Sequence, residues 1–199
     1  MSELKLFDRW ATSQITITDP GLVNYINLDP LLVPRTGGRN SQNRFHKSKY
    51  NIVERLINRL MVPGHRGKKH KLSSGHITGK AITAYNIVIA AFEIIEKELG
   101  MNPVEVFVKA VENAAPREEI TTIEYGGARY PQALEVAPQR RIDIALRQMT
   151  QGAYAKCFGK KVSIEKTLST EIMKAYKLDQ TSQAISKKLE LERQAESSK

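Results

Sequence analysis

The chain contains a single cysteine, Cys157, so it cannot close a disulfide within itself. No apolar run is long enough to cross a membrane, because the best candidate, Ala81 to Phe92, is interrupted by Thr83 and Asn86 and is followed by Glu93. No signal peptide is recognisable, and a reducing, intracellular setting is expected. Acid is scarcest where base is densest. Between residues 35 and 71, Glu54 stands alone against eleven Lys/Arg. A solvated loop kept for solubility would mix its signs, since an unopposed run repels itself.

Those eleven cations account for the whole net charge of +10; the other 162 residues hold twenty Lys/Arg and twenty Asp/Glu. The protein is therefore a near-neutral body carrying one cationic segment, which points to a polyanion, and nucleic acid is the expected partner. A length of 199 residues with 41% apolar content suits one domain with a real core.

Residues 1–34 lack a sustained helical period and hold prolines at 20, 30 and 34, so an extended arm with a short strand or turns is expected. Residues 35–48 have almost no apolar anchors and are expected to order on the partner. Tyr50, Val53, Ile57 and Leu60 then fall at helical spacing, with Arg55 and Arg59 on another face, up to Pro63-Gly64. A run from Ala81 to Phe92 is apolar almost all round and reads as a buried helix. Gly100, then Asn102, Pro103 and Glu105, mark a helix end and the next start. Val104, Phe107, Val108, Val111 and Ala115 form that helix's inner stripe, and Pro116 closes it.

From Pro116 to Pro138 the period becomes that of strands, around Gly126-Gly127. A two-residue primed turn there puts Glu124 opposite Arg129 and Ile123 opposite Tyr130. Pro131 cannot donate to a ladder, so an irregularity is expected there. A lone hairpin is marginal in water and should project from a helical body as a contact element. Helices resume after Pro138, with Ile142, Ala145, Leu146, Met149 and Ala153 inward and Arg140 and Arg147 sharing a face. Two more follow, one after a Ser163 cap with Ile164, Leu168, Ile172 and Tyr176, the other with Ile185 and Leu189, running into a tail expected to fray.

The stretch Val111-Glu-Asn-Ala-Ala-Pro116, then Gly126-Gly127, Tyr130, Glu135-Val136, Arg140-Arg141 and Ala145-Leu146-Arg147, resembles the signature of the small-subunit ribosomal protein S-seven family. Leu56 to Met61 and Lys80-Ala81 fall in the same order, and the arm with the expanded loop 64–79 resembles the archaeal type. The resemblance implies a mainly α fold: about six helices, a protruding β-hairpin at about 118–137, and an extended basic N-terminal arm over 1–49 ahead of a helical rRNA-binding domain over 50–199.

It also implies a structural constituent of the small subunit, cytoplasmic and ribosomal. Such a protein is a primary rRNA binder that nucleates head assembly on the 3′ major domain, a monomer within the particle beside head and platform proteins. Its hairpin tip, Tyr125, Gly126, Gly127 and Ala128, would lie near exit-site tRNA and the mRNA path. The rRNA-facing positions carried over are Lys80, Arg117, Arg129, Tyr130, Arg140, Arg141 and Arg147. Arg35, Arg39, Arg44, Lys47, Lys49, Arg66, Lys68, Lys69 and Lys71 are assigned from charge alone. Bacterial members often carry basic residues before the Gly-Gly, where this chain has Glu124-Tyr125, which argues against phosphate contact by that strand.

Catalysis is not expected. Gly75 to Lys80 has three residues between its glycines where a phosphate-binding loop needs four, and Ala81 stands where a hydroxyl must hold magnesium. His46, His65, His70 and His76 lack cysteine partners or an i, i+4 pair, so no metal is expected. Cys157 has basic neighbours but no base and oxyanion donors, and reads as an inert thiol. No cofactor is expected. The alternatives are an RNA assembly factor or chaperone absent from the mature particle, and a DNA-binding architectural protein, which the lack of a recognition-helix signature or dimer heptads weakens.

Overall fold

The computed structural model describes residues 4–64 and 79–199. Among them are six α-helices, α1 (Ile52–Leu60), α2 (Ala81–Leu99), α3 (Pro103–Ala114), α4 (Pro138–Cys157), α5 (Ile164–Tyr176) and α6 (Gln183–Glu196). The hairpin β1 (Glu118–Tyr125) and β2 (Ala128–Glu135) stands between α3 and α4. Local chemistry sets the boundaries. Gly100 ends α2 at φ 64°, the left-handed conformation glycine tolerates, and the Asn102 side chain accepts from the Val104 amide, leaving Pro103 at the first helical position. Asn51 caps α1 in the same way through the Val53 amide.

Helix α5 packs against α2, α3 and α4, and its Leu168 and Ile172 meet Phe92, Phe107, Ile142 and Met149 in the core. All six are fully buried, each worth about 1.5–3 kcal/mol against exposure. The expected inner stripes of α3 and α4 are buried throughout. Helix α2 departs from expectation. Only Ala84, Val88, Ala91, Phe92 and Ile95 are buried, while Ile82 is 49% exposed, because α1, α3 and α5 cover part of its circumference and leave the rest apolar and open.

Helix α6 also departs. Leu189 is exposed, and the tail is held rather than frayed: Ala195 is fully buried and the Lys199 ammonium donates to Glu118 at 2.8 Å. The start of α6 has an unusual cap. Ser182 makes no side-chain cap bond; instead Glu171, fully buried on α5, accepts from Ser182 Oγ at 2.8 Å, the Gln183 amide at 2.6 Å and the Ala184 amide at 3.3 Å, and pairs with Lys156. Gly152 of α4 lies against this cluster, where a Cβ would stand 2.9 Å from Gln183 Cβ and 3.2 Å from the Glu171 carboxyl carbon. Gly152→Ala is therefore expected to destabilise the fold by about 1–3 kcal/mol in denaturant titrations.

The hairpin has the expected register, from Glu118 opposite Glu135 to Tyr125 opposite Ala128, with Glu124 facing Arg129 and Ile123 facing Tyr130. Gly126 and Gly127 both take positive φ, 58° and 82°, as a type I′ turn requires. Pro131 causes no irregularity. Counting from the bonded pair that flanks the turn, Thr122 and Pro131 form a non-hydrogen-bonded pair, so the missing N–H is on the outer edge.

Residues 4–34 contain no strand, only turns and isolated bridges, yet they do not hang free of the body. Leu6, Phe7, Trp10, Leu22 and Ile26 are buried in the shared core, and Trp10 packs edge-on to Phe92 with ring centroids 5.7 Å apart. Charged side chains of α3 and α4 hold the same segment. Glu112 accepts from the Thr18 amide and hydroxyl at 2.6 Å and the Asp19 amide at 3.0 Å, and Asp19 pairs with Arg141 at 2.6 Å.

Burial alone would raise both carboxyls, but for Glu112 the bonds from Thr18, Asp19 and Lys109, and for Asp19 those from Arg141 and Gly21, hold them below their ordinary values of 4.5 and 3.8. A depressed folded pKa gives stability that is complete above the ordinary value and is lost as pH falls through the folded one. Acidification below about pH 4.5 should release this segment, red-shifting the emission of Trp10, the only tryptophan. Glu112→Gln should flatten that acid limb.

Candidate nucleic-acid interface

The basic segment 35–49 runs along the helical body and makes side-chain contacts to it. Thr36 donates through amide and hydroxyl to Glu54 Oε1 at 2.9 and 2.7 Å, Lys47 pairs with Asp143 at 2.9 Å, and Ser48 donates to Gln139. Those partners lie on α1 and α4, out of reach of a count of local apolar anchors. A short 3₁₀ turn, His46–Lys49, leads into α1.

Where this turn meets α1 and α4, a groove of about 320 Å³ opens, lined by Lys47, Arg55, Arg59, Asp143 and Arg147 with His46 and Tyr50 at one end. Asp143 is its only acid. Burial would raise the Asp143 carboxyl, but Lys47 and Arg55 hold it below the usual carboxylate range, so it stays ionised and fixes both cations. Four cations against one acid leave the groove positive. Burial and the neighbouring Arg147 charge lower the Arg59 guanidinium below its ordinary value, and its Nε is buried without a hydrogen-bond partner among the described residues. Two guanidiniums without an acid of their own, one carrying an unmet donor, form a site suited to an anionic oxygen.

Arg55 and Arg59 were absent from the residues proposed from sequence. The signal was present, a basic pair at i and i+4 in α1, but it reads equally well as a solvent face. In fact Arg55 is only 5% exposed and bridges α1 to α4 through Asp143.

The other predicted residues divide. Arg35, Arg39, Lys49, Lys80 and Arg147 are exposed, with no acidic partner among the described residues, and Arg44 is exposed beside the Phe45 ring. Arg117 is exposed at the hairpin base, and Arg129 is exposed opposite Glu124 at 3.5 Å. Tyr130 is 58% and Tyr125 82% exposed, so neither ring is absorbed by packing, and Gly126, Gly127 and Ala128 are exposed beside them. Arg140 grips both oxygens of Glu119 at 2.6 and 2.8 Å. Arg66, Lys68, Lys69 and Lys71 lie outside the described residues.

Arg141 is 8% exposed and donates to Asp19 and to the Pro116 carbonyl at 3.0 Å, so it braces the N-terminal segment against α4. Its helix neighbours Ile142 and Ala145 are core residues, which draws position 141 inward. Cys157 is half-buried, and burial pushes its thiol up, consistent with an inert side chain.

A family model described as ribosomal protein S7p/S5e matches residues 25–199. The chain belongs to the S7p/S5e family of ribosomal proteins. It is 55% identical over 197 residues, 99% of this chain and 100% of the relative, to the small ribosomal subunit protein uS7 of the archaeon Nanoarchaeum equitans. The archaeal-type resemblance agrees with this relative. As an S7p/S5e protein the chain is a structural constituent of the small ribosomal subunit in the cytoplasm, a ribonucleoprotein component of translation and not an enzyme.

Proposed function

We propose that the chain is a primary rRNA-binding protein that nucleates assembly of the small-subunit head on the 3′ major domain. The groove between α1, α4 and the 46–50 turn holds rRNA phosphates, and the exposed cations of 35–49 extend that contact. The hairpin reaches toward exit-site tRNA and the mRNA path, and the monomer packs among head and platform proteins. The groove carries this reading: Arg59 and Arg147 line it together, the Arg147 charge acts against that of Arg59, and the Arg59 Nε has no hydrogen-bond partner among the described residues, an arrangement that an anionic backbone relieves.

Recognition combines counterion release with the fixed phosphate positions of a folded RNA junction, since the A-form major groove is too narrow to read with side chains. The test is competition for the full chain between the 3′ major domain transcript, tRNA and duplex DNA at about 200 mM salt, where nonspecific binding weakens. A preference of about a hundredfold for the transcript is expected, with log affinity falling against log salt at a slope near −4 to −5 if about six cations engage. Equal affinities, or a slope shallower than about −2, would leave only a general polyanion binder. Deleting Tyr125 to Ala128 should disturb exit-site occupancy in reconstituted subunits more than rRNA affinity; equal loss of both would remove the hairpin's separate role.

A further inference from the structure

A second cavity, of about 510 Å³, opens between residues 33–38 and the α1–α2 pair, within the roughly 300–1,000 Å³ range of small-ligand sites. Its walls are mainly apolar, formed by Pro34, Ile57, Ile82 and the rings of Tyr50 and Tyr85. Of the polar residues in its lining, which include Arg35 and Asn58, two are buried. Glu54 is 3% exposed and Tyr50 7% exposed, and both line the cavity. Glu54 spends Oε1 on Thr36, while Glu54 Oε2 and the Tyr50 hydroxyl are buried with no hydrogen-bond partner among the described residues. Buried polar atoms without partners are costly, and here two of them belong to residues that line one cavity.

We propose that this cavity is a base pocket, holding one unstacked nucleobase of the RNA strand whose phosphates occupy the neighbouring groove. It rests on the rRNA-binding reading above. Three features select this occupant. The cavity and the cationic groove share Tyr50 and Asn58, so a strand crossing from one to the other need travel no further than one side chain. Arg35 at its edge, with exposed Arg39 just beyond, supplies cations for the flanking phosphates. The apolar and aromatic walls suit the faces of a base, and a carboxylate oxygen, which only accepts, suits a base edge that donates, such as an exocyclic amine. A base therefore satisfies the walls and the orphaned acceptor together, whereas an anion would be repelled by Glu54.

The experiment measures binding of the full chain to the 3′ major domain transcript. Glu54→Gln keeps an oxygen for Thr36 and replaces the free acceptor by a donor; it is expected to weaken binding about tenfold with the salt slope unchanged. Ile82→Trp, at an exposed position, narrows the cavity without touching a polar atom and should weaken binding similarly. Thr36→Val, which removes a hydroxyl from the other Glu54 oxygen and keeps the amide bond, should weaken binding less than Glu54→Gln does. Ultraviolet crosslinking should join Tyr50 or Tyr85 to an unpaired nucleotide. Unchanged affinity of both Glu54→Gln and Ile82→Trp, or equal weakening by Thr36→Val, or crosslinks only elsewhere, would overturn the pocket while leaving the rRNA reading standing. If the wild-type chain shows no preference for the transcript, the rRNA reading fails instead. The pocket is then judged by titrating the four nucleoside 5′-monophosphates against fluorotyrosine-labelled protein: saturable shifts at Tyr50 and Tyr85 support it and their absence overturns it.

Discussion

Replacing Glu171 by alanine should lower the melting temperature by roughly 6–12 °C, taking about 3 kcal/mol lost and about 2–4 °C per kcal/mol at this chain length. The magnitude follows from what that carboxylate does. It is fully buried, and one oxygen accepts the Ser182 hydroxyl and the Gln183 and Ala184 amides, three donors at the start of α6 that Ser182 itself leaves uncapped. Truncation orphans all three, strips Lys156 of its partner and leaves a void against Gly152. Glu171→Gln keeps an acceptor oxygen for the cap and loses the ion pair, so its loss should be about half as large. Thermal melts followed by circular dichroism decide it. A shift below about 2 °C for Glu171→Ala would mean that α6 is held by its apolar contacts through Ile185 and Ala195 alone.

The second large effect falls on binding rather than folding. The double variant Arg59→Gln, Arg147→Gln should reduce the salt slope by about 1.4–1.8, since each phosphate contact contributes roughly 0.7–0.9, and weaken rRNA binding by one to two orders of magnitude at low salt. Its melting temperature should stay near the wild-type value or rise, because the Arg147 charge works against that of Arg59 and neither forms an ion pair among the described residues. Arg141→Gln makes the opposite pattern. It leaves Asp19 without its cation and the Pro116 carbonyl without its donor, so stability drops while the salt slope holds. Filter binding across a salt series, with melts of the same preparations, separates the two. If both variants lower the slope equally, Arg141 reaches RNA after all, and the division between bracing and binding arginines fails.

That division explains how much of the molecule was legible beforehand. The hairpin register followed from Gly126-Gly127, because a two-residue turn leaves one way to pair the strands, and the start of α3 followed from Asn102-Pro103, because capping is local chemistry. The family signature supplied the order of elements. What escaped were side chains whose partners lie far along the chain. Arg141 meets Asp19 across 122 positions and Arg55 meets Asp143 across 88, so the partners that hold these two arginines could not be found in their local sequence. The outer side of α2 was misread for a related reason: apolar residues all round a helix indicate burial only if neighbours exist to cover every side. Of the binding site, the exposed cations were legible from charge, whereas the groove needed α1 and α4 side by side.

The hairpin's mounting has a mechanical consequence. Its base is tied to the last helix by Glu192, which accepts from the Arg117 amide at 3.0 Å, and by Lys199 on Glu118, while everything beyond Thr121 is exposed. Strands of eight residues reach about 27 Å, so the structure is a cantilever clamped at one end. A few degrees of rotation at the clamp would carry the tip by an ångström or two, and the clamp is shared between the C-terminal end of the chain and Arg140 of α4, which holds Glu119. A small displacement of the C-terminal helix would thereby become a larger travel at Gly126-Gly127.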